Sequence, residues 1–104
     1  LLVTTASSID GHRIVAHRGL VRGIVFTIPG TVPGALGALI HGDDAEFESE
    51  CENAYSRATT RLQERARALA ANAVVGTRYD TTEVSKGVIQ ILAYGSAVKV
   101  ERIG

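Results

Sequence analysis

From Asp43 to Asn72, apolar residues recur at steps of three or four: Phe47, Cys51, Ala54, Tyr55, Ala58, Leu62, Ala66 and Leu69. That spacing gathers them on one face of a helix. Asp43, with Glu46 three residues on, has the arrangement of a capping box, and Asn72 suits a left-handed residue at the far end. Charge follows the helix dipole. Asp43, Asp44, Glu46, Glu48, Glu50 and Glu52 crowd the first turns, and Arg57, Arg61, Arg65 and Arg67 occupy the later ones. At about 1.5 Å per residue such a helix spans roughly 45 Å, more than the ~30 Å diameter of a small domain. It overhangs its own sheet unless it kinks or neighbouring subunits meet it, and assembly is the simpler answer.

The flanking segments alternate rather than recur in threes and fours. Arg13–Thr27 is rich in β-branched residues, with Ile14, Ala16, Leu20, Ile24 and Phe26 on one parity and Val15, Val21 and Val25 on the other. It predicts a long strand, bent or bulged at Gly19 and Gly23. Leu2–Thr5 predicts a short strand before it, joined through a turn at Ser8–Ile9–Asp10–Gly11, a hairpin-like signal. After the helix, Ala73–Glu83 and Val88–Glu101 predict two antiparallel strands joined near Ser85–Lys86–Gly87. The last strand carries Ile89, Ile91, Ala93 and Ala97 on one parity and Leu92, Tyr94, Val98 and Val100 on the other, so both faces call for cover. One helix covers one face; a second subunit would cover the other. The order β-β-α-β-β predicts an α+β domain over residues 1–104, a mainly antiparallel sheet packed against one long helix and assembling as a ring.

Ile24–Ile40 carries no charge over its 17 residues, yet Pro29, Gly30, Pro33, Gly34 and Gly37 interrupt it. A spanning helix needs about 20 apolar residues and tolerates few such breaks, so a membrane is not expected as a partner. The segment reads as an apolar loop, with a short helical turn at Ala35–Ile40, that packs against another subunit.

Composition narrows the function. The 104 residues hold 11 Lys+Arg against 11 Asp+Glu, 45% are apolar and 21% charged. This is a globular balance, and zero net charge argues against nucleic acid as a partner. The lone Cys51 excludes an intrachain disulfide and every multi-cysteine zinc pattern. No window has the layout of a signal peptide, so a cytoplasmic protein is expected. No serine sits in a nucleophile elbow, and the glycines of the apolar loop lack the Lys-Ser/Thr of a phosphate-binding loop. The chain does not read as an enzyme.

Several stretches carry a resemblance. Val3–Thr4–Thr5, Asp10–Gly11 leading into Ile14–Val15, Arg67–Ala68–Leu69, and Ala71–Asn72–Ala73–Val74–Val75–Gly76 are similar to the YbjQ-like family, as are Arg78–Tyr79–Asp80 and Ala93–Tyr94–Gly95–Ser96–Ala97–Val98. The similarity runs in order along nearly the whole chain, weakest over Ile24–Gly42. Where this chain has Ala70, the family usually has Gly. The resemblance implies a small α+β domain that assembles into a homopentamer, and it brings the label "putative heavy-metal-binding", which rests on structural analogy. It brings no catalytic residues.

With that label in view, a heavy-metal ion is the candidate ligand, and Cys51, His17 and His41 are the candidate metal-binding residues, Cys51 the only soft one. None of the histidines is spaced usefully from Cys51, whose place on the apolar helix face is where an inert packed thiol belongs. A metal site would need Glu48 or Glu52 beside Cys51, or ligands from an adjacent subunit. Arg78, Asp80 and Glu83, with Tyr79 among them, are candidates for binding a small polar ligand at a subunit boundary, or for an intersubunit ion-pair set. The helix arginines read as a solvated face and partners for a neighbour's acidic turn. The alternative to a metal- or ligand-binding protein is a structural or interaction module whose ring is itself the working part.

Overall fold

The computed structural model describes residues 1–28 and 44–104, with side chains from residue 49 onward in the second stretch. Leu2–Val3 forms β1, His12–Thr27 β2, Asp44–Ala68 the helix α1, Ala73–Ser85 β3 and Val88–Arg102 β4. The four strands make one sheet in the order β1-β3-β4-β2. β4 runs antiparallel to both β2 and β3. β1, however, lies parallel to β3, with Leu2 opposite Ala73 and Val3 opposite Val74. The sheet is therefore mixed, and β1 and β2 are not a hairpin. The reason is visible in the backbone: beyond β1 the chain keeps following β3, with Thr4 N–H donating to Val74 O, Thr77 N–H to Thr4 O and Gly76 N–H to Ala6 O. β1 is thereby committed to β3 at one edge of the sheet while β2 occupies the other.

β3 and β4 form the expected hairpin, tightened to a two-residue loop: Ser85 pairs with Val88, and Gly87 takes φ 77° between them. β2 is bulged twice, at Val15 and at Arg18, where two β2 residues face one on β4. Gly19, at φ 122°, closes the second bulge. The first needs no glycine. Two one-residue insertions restore the original parity, so Ile14, Leu20, Ile24 and Phe26 stay on one face as the alternation predicts.

α1 packs on the other face. Ala54, Ala58, Leu62 and Ala66 are fully buried against Val21, Val25, Val74, Ile91, Ala93 and Ala97. The alanines let the backbones approach closely, and Gly23 completes that approach: a Cβ there would overlap Ala58 O and lie 2.7 Å from Leu62 N. Gly23 is thus a packing residue rather than a bulge. Toward the hairpin, the Tyr55 and Tyr79 rings meet edge to face at 5.5 Å. Tyr55 Oη shares a hydrogen bond with Thr81 Oγ1 at 2.7 Å, and Tyr79 Oη one with Thr59 Oγ1 at 2.6 Å.

The helix stops earlier than its apolar spacing suggests, after Ala68 rather than at Asn72. Ala70, at φ 60°, is the left-handed residue. Ala70 N–H donates to Arg67 O and Ala71 N–H to Ala66 O, the paired bonds of a Schellman ending. Asn72 does something else. Its Oδ1 accepts from Val100 N–H at 2.8 Å and its Nδ2 donates to Val100 O at 3.0 Å, stitching the start of β3 to β4. The predicted Asp43–Glu46 capping box, and the Ile24–Ile40 loop beyond Ile28, lie outside the described residues.

Candidate functional site: the open sheet face

The face of the sheet away from α1 has two zones. Near the helix-exit end it is closed by the chain itself: Ile9, from the loop after β1, packs with Ile14 and Val100 on buried Ala73, Val75 and Val98. One part of the second apolar parity thus finds its cover within a single subunit. Further along β2 and β4 no described residue covers it. The register sets Leu20, Arg22, Ile24 and Phe26 of β2 beside Ser96, Tyr94, Leu92 and Gln90 of β4, and these beside Arg78, Asp80 and Thr82 of β3. Leu20 is 84% exposed, Phe26 56% and Tyr94 41%. A depression of about 530 Å³ lies on this face, lined by Leu20, Arg22, Asp80, Leu92 and Tyr94. It offers one carboxylate, one guanidinium and one phenol around an apolar floor.

The residues singled out from sequence scatter over the molecule. Arg78 and Asp80 share the open face, but Glu83 has the opposite parity and stands near the hairpin tip, and Tyr79 turns to α1. Arg78 is occupied: its Nη1 donates to Thr5 O and to Thr77 O, each at 2.9 Å, and so straps the N-terminal segment to β3. Asp80 alone of the three lines the depression. Leu20, Leu92 and Tyr94 were legible as apolar positions, yet only strand pairing places them beside Asp80.

Cys51 lies half-buried on α1, and its thiol is pushed above its ordinary range, first by partial burial and then by the charges of Glu50 and Glu52. His17 is exposed on β2 between the two bulges, opposite Val98. His41 lies outside the described residues. Among the described residues, no three His, Cys, Asp or Glu side chains come together in a way that could hold a metal ion. Also among them, no helix is long and apolar enough to cross a membrane.

A helix packed on a four-stranded mixed sheet, with part of the opposite face uncovered among the described residues, defines a small α+β domain. The chain belongs to the YbjQ family, described as "putative heavy-metal-binding", which it matches over residues 1–101. It is 42% identical to a UPF0145 protein of Burkholderia thailandensis over 99% of this chain and 96% of that one, and equally to UPF0145 proteins of Burkholderia mallei and Burkholderia pseudomallei. A crystal structure of a DUF74-family protein of unknown function from Pediococcus pentosaceus shares the fold, with TM-score 0.67, 16% identity, and coverage of 97% of this chain and 98% of that one.

Proposed function

We propose that this protein is a homo-oligomeric binding protein, a cytoplasmic pentameric ring that takes up a heavy-metal ion or a small ligand where subunits meet. The observation that carries this reading is the open sheet face. Its exposed Leu20, Phe26 and Tyr94 form apolar surface that a second copy would shield. The shape supports it: the radius of gyration is 16.8 Å, against about 13 Å for a compact chain of this size. The family description supports the heavy-metal ion as ligand. Cys51, His17 and His41 remain its proposed donors, with Arg78, Asp80 and Glu83 as proposed contacts for a polar ligand. Cys51 lies on α1 and His17 on β2, so we place the complete donor set between subunits.

The second reading, a ring that works as a scaffold without a bound metal, is favoured by the lack of converging donor side chains among the described residues. Titrating the purified protein with cadmium, zinc and copper(I) separates the two. Saturable uptake that Cys51→Ser abolishes supports the metal reading. An assembled protein that binds none of the three leaves the scaffold.

A further inference from the structure

A second depression lies between α1 and the outer edge of β2. It holds about 450 Å³ and is lined by Arg22 and Ile24 from the strand and by Arg61, Glu64 and Arg65 from the helix. We infer that this groove binds a phosphate monoester with an apolar body, the phosphate meeting the arginines. The three guanidiniums belong to one chain, so the site needs neither an assembled ring nor a metal.

The charge balance of the lining argues for an anion. Three arginines face one glutamate in a chain whose formal net charge is zero, so the excess is local and not part of a generally basic surface. None of the three pairs with a carboxylate among the described residues, where the one ion pair is Arg13–Glu101 at 3.7 Å. Arg61 is already positioned, since its Nη1 donates to Ile24 O, and the rest of its fork has no partner among the described residues. The excess of two positive charges matches a phosphate dianion better than a carboxylate, and guanidinium forks bond phosphate oxygens in pairs. Complementing the helix dipole accounts for Arg65, in the last turn. It does not account for Arg22 on a strand or for Arg61 a turn earlier.

The apolar half of the ligand follows from the neighbouring surface. A smaller depression of about 250 Å³ shares Arg22 and Arg65 and is lined further by Leu20, Ala68 and Leu69. Leu20 and Leu69 are 84% and 41% exposed there, so a ring or short chain attached to the phosphate would cover them.

Calorimetric titration of the metal-free protein at low ionic strength tests this, with phenyl phosphate, inorganic phosphate, phenylacetate and benzyl alcohol as probes. Phenyl phosphate should bind saturably and most tightly, inorganic phosphate and phenylacetate several-fold more weakly, and benzyl alcohol not at all. Arg22→Gln and Arg65→Gln should each weaken phenyl phosphate about tenfold, the usual worth of a charge-assisted hydrogen bond. Arg57→Gln, on the same helix outside the groove, should leave it unchanged. Circular dichroism verifies that each variant is folded. Absence of saturable phenyl phosphate binding, equal binding of benzyl alcohol, or equal loss in Arg57→Gln overturns the site. Inorganic phosphate binding as tightly as phenyl phosphate overturns its apolar half. Failure here leaves the oligomer and metal readings standing, because Cys51, Phe26 and Tyr94, on which those readings also rest, line neither depression.

Discussion

Ala70 occupies a left-handed position that a Cβ makes costly by roughly 1 kcal/mol. Glycine is the residue such an ending favours, and the Schellman hydrogen bonds hold Ala70 there regardless. Ala70→Gly should therefore stabilise the protein by about 0.5–1 kcal/mol, the relief of strain outweighing the looser unfolded chain. It would be read as a higher urea midpoint at unchanged slope. Cys51 gives a second prediction at this scale. Its thiol is raised, so less of it is thiolate at a given pH than in an unperturbed cysteine. Glu50→Gln with Glu52→Gln should lower it and speed alkylation by iodoacetamide near pH 8; an unchanged rate would count against the two carboxylates as a cause. The sign for stability follows. The folded state holds this proton more tightly than the unfolded state, so the contribution is intact below the unfolded thiol's pKa and fades as pH rises through the raised one. Any metal taken by Cys51 must displace that proton, so uptake should strengthen with pH.

Between elements, the closest fit is α1 on β2. Buried Ala54, Ala58 and Ala66 bring the helix down, and the absence of a side chain at Gly23 lets its backbone reach the strand. The atoms a new Cβ would strike, Ala58 O and Leu62 N, belong to the helix backbone and cannot rotate away. Gly23→Ala should cost about 3 kcal/mol, the upper end for an overpacked core, seen as a lower urea midpoint. A near-neutral result would mean that α1 can lift off the sheet. Much at this scale is legible in the sequence: the buried Ala54, Ala58, Leu62 and Ala66 of the helical stripe, the β3–β4 hairpin and the bulge at Gly19 all follow from local spacing. What misled was the Asp10–Gly11 signal. A turn there is real, with Gly11 at φ 74°, but the strand before it pairs with β3, and a turn says nothing about which distant edge its flanks will join.

For the molecule as a whole, length and an uncovered face go together. β2 alone, at 16 residues, runs roughly 50 Å at ~3.3 Å per residue, and the chain measures 57 × 24 × 17 Å. Among the described residues, a body so thin buries one sheet face under α1 and leaves part of the other bare. Leu20→Glu or Phe26→Glu, each placing a charge on that bare zone, should shift the particle in light scattering toward the single-chain mass while far-ultraviolet dichroism stays unchanged. Should both variants keep the mass of the unaltered protein, the open face is not the contact between subunits.

The candidate sites show where sequence reasoning stops. Arg78, Asp80 and Glu83 are neighbours in the chain, but strand alternation sends Glu83 to the other face and hydrogen bonding spends Arg78 on Thr5. Arg22 and Arg65 are far apart in sequence and line one groove. By itself the sequence determined the described helix and strands, the burial of Ala54, Ala58, Leu62 and Ala66 on one helix face, though not of Leu69, and that both sheet faces are apolar, because these follow from the repeat of side-chain direction within a few residues. Tertiary structure alone decided the parallel pairing of β1, the covering of one sheet zone by Ile9, and the meeting of three arginines at one edge. Each of those depends on which backbone edges and faces find each other across the fold, and local periodicity carries no record of that choice.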